Sequence, residues 1–387
     1  MKNILFIHQS AELYGSDKTL LLLLKYLDKA KFYPVVILPN DGPLKNELEK
    51  VNIEVHIAPV LKLYRKMFSP KNLITFFSDI KKGVTISNEL HKKYHFDIVY
   101  SNTLAVLLGL FFVRKTKIKH IWHVHEIIES PSVFKKAFMK ILNLKSTASI
   151  IYNSIATKTF WETNHAIRKK GVVVWNGVEN NDLSISDNEI DNLRKQLFNA
   201  TQNKIIIGLV GRISRWKGQQ ILLDSFEEIS KTYQNIKLVY IGSPPPNQEV
   251  FLEQLNLQIA EKKLSDKVTI LSFRKDISTI WHCIDVAVVP STEPEPFGLV
   301  AIEAMFAKKP VIGSNHGGLT EIIINNETGF LVEPNNQKQL SEALNELIKN
   351  QELREQFGNA GLQRAKSEFS VDKYVSSIEN LFDKILK

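Results

Sequence analysis

Two carboxylates, Glu295 and Glu303, stand with seven residues between them in Glu295-Pro-Phe-Gly-Leu-Val-Ala-Ile-Glu303. The apolar run before them, Asp285-Val-Ala-Val-Val-Pro290, reads as a buried parallel strand, and the residues after them predict a helix over Leu299–Ala307. A Pro/Gly turn between strand and helix leaves the N–H groups of Phe297, Gly298, Leu299 and Val300 at the positive end of the helix dipole. Such a turn offers a phosphate or a polar sugar a row of donors, with a carboxylate at each edge. A second loop, Gly211-Arg212-Ile-Ser-Arg215-Trp216-Lys217-Gly218, closes the expected strand Ile205–Val210. Its rigid guanidinium fork, Arg212, and its point cation, Lys217, suit the two phosphates of a nucleotide diphosphate without a metal. A third loop, Ser314-Asn-His-Gly317-Gly318-Leu-Thr320-Glu321, places a double glycine ahead of a helix and repeats the anion-binding pattern. Three such loops in one half of the chain point to one anionic ligand.

The first half carries sparser signals. Gly15, in Tyr14-Gly15-Ser16 after the first expected strand and before a helix at Thr19–Leu27, permits close approach of backbone to ligand. In His123-Val-His125-Glu126 the period-2 geometry of a strand turns both histidines to one side. A metal would need further ligands, and no cluster completes the pair, so no metal is expected. A polar contact to substrate is the better use, with His125 the farther out. Asn102 and Thr103 follow the strand expected at Asp97–Tyr100 and are candidates for binding an acceptor; helix capping by Ser101 or Asn102 would explain the same residues.

Several chemistries lack their motifs. No Gly-x-Gly-x-x-Gly, no Gly-x-x-x-x-Gly-Lys-Ser/Thr and no Asp-x-Asp occurs, which argues against dinucleotide, P-loop and metal-diphosphate sites. There is no Gly-x-Ser-x-Gly elbow for serine chemistry. The single cysteine, Cys283, falls within an expected helix before Asp285 and reads as packing, and one cysteine cannot form an intramolecular disulfide.

The elements that must position these residues alternate from end to end. Strands are expected at Ile4–His8, Val35–Leu38, Glu54–Ile57, Asp97–Tyr100, His120–Val124, Ile150–Tyr152 and Val172–Trp175. They resume at Ile205–Val210, Lys237–Ile241, Val268–Leu271, Val286–Val289, Val311–Ser314 and Phe330–Val332. Helices are expected at Gln337–Lys349, Glu352–Glu368 and Val371–Lys387, and a charged linker with a short helix over 179–203. Short β-branched runs between helices indicate parallel sheets covered on both faces. The 387 residues, 44% hydrophobic and 24% charged, suit two globular domains, 1–180 and 203–370, with 371–387 as a terminal helix. No secretory signal is read at Lys2-Asn3, and the longest apolar run, Leu104–Val113, is too short to span a bilayer, so the expected location is the cytoplasm.

Together these residues resemble the retaining glycosyltransferases of family 4, over nearly the whole chain from Gly15-Ser16 through His125 and Asn176-Gly177-Val178 to Thr328-Gly329-Phe330. The Arg212/Lys217 pair and the Glu295–Glu303 segment are the specific parts of the likeness. It implies an α/β fold of GT-B architecture, two facing Rossmann-like doubly wound domains with an interdomain cleft, and a terminal helix that crosses back to the first domain. It also implies sugar transfer from a UDP- or GDP-sugar donor, held by the second domain, to a glycan or lipid-linked acceptor held by the first, with no cofactor. By motif position, Arg212 and Lys217 would hold the diphosphate, Glu303 the ribose, and Glu295 with the N–H groups of Phe297, Gly298 and Leu299 the sugar. Gly15 would join the donor site, and His125 would lie beside the sugar near the reaction centre. The nucleotide base would be read by backbone near Phe273-Arg274.

Charge is unevenly spread. Residues 1–180 hold 27 basic and 14 acidic side chains, net +13, whereas 181–387 are net −4. Residues 61–82 and 132–145 mix lysines with aromatic residues and are expected to dock on an anionic membrane surface or a lipid pyrophosphate at the inner membrane face. A nucleic-acid partner would account for the charge, but no recognition motif supports it. Paired carboxylates also suit a glycosidase, which would leave the diphosphate loops without purpose. The remaining alternative is a non-catalytic sugar-nucleotide-binding protein on the same fold.

Overall fold

The computed structural model describes residues 1–62, 70–114, 116–129, 132–163, 165–180 and 185–387. The chain forms two units, Met1–Glu179 with Ser370–Lys387, and Asn180–Phe369. The first holds seven parallel strands, β1 Lys2–His8, β2 Phe32–Leu38, β3 Glu54–Ile57, β4 Ile98–Asn102, β5 Lys119–Val124, β6 Thr147–Tyr152 and β7 Gly171–Val173, in the order β3-β2-β1-β4-β5-β6-β7. The second holds β8 Ile205–Val210, β9 Ile236–Ile241, β10 Val268–Leu271, β11 Val286–Val289, β12 Val311–Ser314 and β13 Gly329–Val332, in the order β10-β9-β8-β11-β12-β13. Each unit is therefore doubly wound and Rossmann-like, and each reverses winding direction once, between β1 and β4 and between β8 and β11. Loops diverge there and leave a crevice at the carboxyl ends of the strands, where ligands of such sheets bind.

Alternation along the strands builds two apolar layers in the first unit. Ile4, Phe6, Val36, Ile98 and Tyr100 face one way, and Leu5, Ile7, Val35, Val99 and Trp122 the other. The terminal helix Val371–Leu386 covers the first face, burying Val371, Tyr374, Val375, Ile378 and Phe382 at helical spacing, and Phe382 meets the rings of Phe6, Phe32 and Tyr100. Asn176-Gly177-Val178 marks the place where this tail returns. A Cβ on Gly177 would lie 2.7 Å from that of Tyr374, and Val178 bridges to Ser370.

In the second unit the helix Asp187–Phe198 is anchored by Arg194, which donates to Asp285 at 2.7 Å. The other oxygen of Asp285 accepts the Ile206 N–H at 2.7 Å, so one carboxylate ties helix to sheet. The linker reading over 179–203 is thereby corrected in part: this helix is an integral layer of the second unit, while residues 181–184 lie outside the described residues. Cys283 follows the helix Ile277–His282 rather than lying in it, and is buried.

Three further expectations are corrected. The first helix starts at Gly15, not Thr19, because Asp17 accepts the Tyr14 N–H at 2.8 Å and closes the turn there. The strand expected at Val172–Trp175 is Gly171–Val173. On the helix Ser132–Leu142, Phe134 and Phe138 pack inward on the sheet, and Lys135 caps the Phe160 ring at 3.8 Å. Its aromatic residues are core, and the outward face consists of Val133, Lys136, Ala137 and Lys140. Residues 63–69 of the other expected docking segment lie outside the described residues.

Candidate functional site

The three loops singled out in the second unit follow β8, β11 and β12, which are adjacent in the sheet. The Thr292 N–H donates to the Trp216 carbonyl at 2.8 Å, joining the first loop to the second. The Gly318 N–H donates to the Glu295 carbonyl at 2.7 Å, and His316 Nε2 lies 2.9 Å from the Ser291 carbonyl, joining the second to the third. Glycine is required where these backbones cross. A Cβ on Gly218, at φ +78°, would sit 1.9 Å from the Pro290 carbonyl oxygen, and one on Gly317, at φ +60°, would sit 2.3 Å from that of Glu295.

Glu295 is only 5% exposed and is ion-paired with Lys217. Its Oε1 also accepts from the Ser291 hydroxyl at 2.7 Å, and Oε2 carries no partner among the described residues. The Lys217 ammonium also sits 4.2 Å from the Trp216 ring centroid. An ammonium has three donors, so after its bond to Glu295 it keeps donors for an anion. Arg212 is exposed at the mouth of the same loop, and its carbonyl accepts from the Gln219 amide at 2.9 Å. The helix Leu299–Phe306 starts at Gly298, so the N–H groups of Leu299 and Val300 have no carbonyl one turn back within the helix. Phe297 is buried by its ring against Phe369, and Glu303 lies partly buried in the middle of that helix. Phe273 is exposed, with its N–H on the Ser243 hydroxyl at 2.9 Å. Sequence reasoning singled out Lys217 and Glu295 but not Ser291, and it gave Lys217 and Glu295 separate tasks. The structure makes them one ion pair.

In the first unit the parallel register sets His8 beside Asn102 and Asn102 beside His123, a polar row across β1, β4 and β5 at their carboxyl ends. His125 is two residues past His123, and their rings lie against each other, tilted by 42°, with centroids 3.9 Å apart. His125 Nε2 lies 2.9 Å from Asn102 Oδ1. Asn102 Nδ2 lies 3.0 Å from His8 Nδ1 and 3.4 Å from the Ser16 carbonyl, beside Gly15. His8 Nε2 in turn meets Asp17 Oδ1 at 2.5 Å. The helix-capping reading of Ser101 and Asn102 is overturned: β4 runs through both residues, the next helix starts only at Leu108, and Ser101 instead meets His120 at 2.9 Å. Thr103 is buried at φ +109°, turning the chain out of the strand, with its N–H on the His123 carbonyl at 2.9 Å. His8 and Asp17 were missed, since a lone histidine closing an apolar strand carries no signal of its own.

Burial, reinforced by neighbouring His8 and opposed by Asp17, depresses the pKa of His125 to about 3, so the ring is neutral near pH 7 and can accept a hydrogen bond. His123, still more deeply placed, is likewise held neutral by burial. Beside them Glu126 is pushed up to about 7 by burial, against which the N–H groups of His125 and Leu104 stabilise its charged form. Among the described residues no group of three or more His, Cys, Asp or Glu side chains is arranged to hold a metal, and no helix is long and apolar enough to cross a membrane.

Residues 14–181 match the family model described as Glycosyltransferase Family 4, and residues 189–364 that of the Glycosyl transferases group 1. An uncharacterized glycosyltransferase of Methanocaldococcus jannaschii is 30% identical over 372 residues, covering 94% of this chain and 92% of its own. The chain belongs to the group 1, family 4 glycosyltransferases. The capsular polysaccharide biosynthesis glycosyltransferase CapM of Staphylococcus aureus is 28% identical over 362 residues, 88% of this chain and 92% of its own. Among solved structures, Anabaena HepE in complex with UDP superposes with a TM-score of 0.85 at 26% identity, over 99% of this chain and 100% of its own. The same protein has been solved with UDP-glucose, at a TM-score of 0.84 and 25% identity.

Proposed function

We propose that this glycosyltransferase is a retaining enzyme that moves a sugar from a UDP- or GDP-sugar to a glycan or lipid-linked acceptor in cell-surface polysaccharide assembly. The observation that carries the reading is the knot of three adjacent loops at the switch point of the second unit, built around the Lys217–Glu295 pair. HepE, solved with UDP and with UDP-glucose, supports a nucleotide-sugar ligand, and CapM supports a polysaccharide pathway.

In this reading Arg212 and Lys217 grip the diphosphate, and the Phe297, Gly298 and Leu299 backbone with Glu295 Oε2 meets the sugar hydroxyls. Glu303 takes the ribose, and Gly15 lets the backbone of the first unit approach the donor. Transfer breaks the bond from the anomeric carbon to the phosphate oxygen, which leaves with the electron pair. The acceptor oxygen bonds that carbon from the same face, and its proton passes to the departing phosphate oxygen. Fixed cations and helix N–H groups stabilise the growing phosphate charge without reorganising, a task that requires no metal. His125 meets a substrate hydroxyl as a hydrogen-bond acceptor, and Asn102 and Thr103 shape the acceptor side. A panel of UDP- and GDP-sugars incubated with candidate acceptors, with the product anomer read by NMR coupling, should show transfer with the donor's anomeric configuration kept. Inversion would refute the mechanism.

The acceptor reading extends to the membrane, with the enzyme working in the cytoplasm against the inner face. Phe77, 67% exposed, with Lys81 and Lys82 on the helix Pro70–Tyr94, and Val133, Lys136 and Lys140 on the outward face of Ser132–Leu142, suit an anionic interface. Each lysine near such a surface adds about 1 kcal/mol. Co-sedimentation with phosphatidylglycerol vesicles should be lost when Lys81, Lys82, Lys136 and Lys140 all become glutamate; unchanged sedimentation would remove the membrane from the account.

A further inference from the structure

Asp17 and His8 lie at the buried end of the polar row that leads to His125, and neither has a part in the reaction as described. His8 is fully buried and Asp17 is 1% exposed. A carboxylate only accepts hydrogen bonds, so His8 Nε2, 2.5 Å away, carries its proton toward Asp17. The Ser16 carbonyl also only accepts, so the side of the Asn102 amide that faces it is the NH2 group. That nitrogen is also 3.0 Å from His8 Nδ1, which accepts from it. Asn102 Oδ1 is then the atom facing His125, and it accepts from Nε2–H at 2.9 Å. His125 Nδ1 is left with its lone pair and no partner among the described residues.

We propose that Asp17 and His8 are positioning residues: through Asn102 they hold His125 in its Nε2–H tautomer, so that the Nδ1 lone pair is what meets the substrate hydroxyl. This rests on the reading of His125 given above. The opposite polarity would set Asn102 Oδ1 against the Ser16 carbonyl, at the longer distance of 3.4 Å, so the 3.0 Å contact with His8, and through it Asp17, decides the polarity. His8 Nδ1 also lies 3.2 Å from the main-chain carbonyl of Asn102, which would accept from it in the opposite tautomer.

The test is Asp17→Asn. The Tyr14 N–H, which donates to Asp17 Oδ2 at 2.8 Å, holds the new amide oxygen in place and so preserves the helix start. The new NH2 group must then face His8 Nε2, forcing the proton to Nδ1, turning the Asn102 amide and making His125 donate from Nδ1. Nitrogen-15 spectra of histidine-labelled protein near pH 7, where His125 is neutral, read this without substrate, with His125 assigned by its loss in His125→Gln. The expected result is that Nδ1 changes from a lone-pair to a protonated nitrogen and that kcat falls on the order of 100-fold at unchanged donor KM. Adding Asn102→Asp, an acceptor-only group, should restore the Nε2–H tautomer and recover part of kcat. A His125 tautomer that Asp17→Asn leaves unchanged would overturn the relay. A tautomer that exchanges while kcat stays constant would overturn its purpose and place the failure in the reading of His125, not in the hydrogen bonds.

Discussion

Replacing Lys217 with methionine should lower kcat/KM for sugar transfer by about 100- to 1,000-fold, the scale seen when one fixed electrostatic partner of a developing negative charge is removed. The same change should destabilise the second unit. Glu295 is 5% exposed and would be left with only the Ser291 hydroxyl as partner among the described residues. Stranding one member of a buried pair costs about 3–5 kcal/mol, and domains of this size lose roughly 2–4 °C in Tm per kcal/mol. Thermal unfolding of Lys217→Met against the double variant Lys217→Met/Glu295→Gln separates the two consequences. The double variant should regain most of the lost stability and none of the lost activity. Full activity in either variant would mean that the pair is a structural clamp only.

The second large effect concerns His125. His125→Phe keeps a flat ring on His123 but removes the hydrogen-bond acceptor, and kcat should fall on the order of 100-fold. Because Arg212, Lys217 and Glu303 are in the other unit, UDP or GDP affinity should change less than twofold. Single-turnover kinetics with a calorimetric titration give both quantities. A variant with normal kcat, or one whose loss is wholly in nucleotide affinity, would remove His125 from the chemistry.

Strand positions, the two-part organisation and the loops that carry polar residues were legible because parallel strands are short continuous apolar runs and ligand loops follow them. The strand–turn–helix that places Glu295 before a helix and Glu303 within it could be read from the sequence. That Lys217 pairs with Glu295 could not, since 78 residues separate them and only the adjacency of β8 and β11 brings them together. The His8–Asn102–His125 row was hidden for the same reason: it depends on register across three strands, whereas sequence shows periodicity along one. Phe134 and Phe138 show the converse error. Their spacing identifies an apolar helix face, but spacing does not say whether a membrane or the protein's own sheet covers it, and here the sheet does.

The central claim is that the loops after β8, β11 and β12 hold a nucleotide diphosphate by fixed protein cations. Calorimetric titration of UDP and of GDP into the enzyme, with EDTA present, tests it most directly. One of the two nucleotides should bind without metal, and Arg212→Ala should weaken that binding at least tenfold, about 1.4 kcal/mol. Binding that appears only with a divalent metal, or that Arg212→Ala leaves unchanged, would contradict the account.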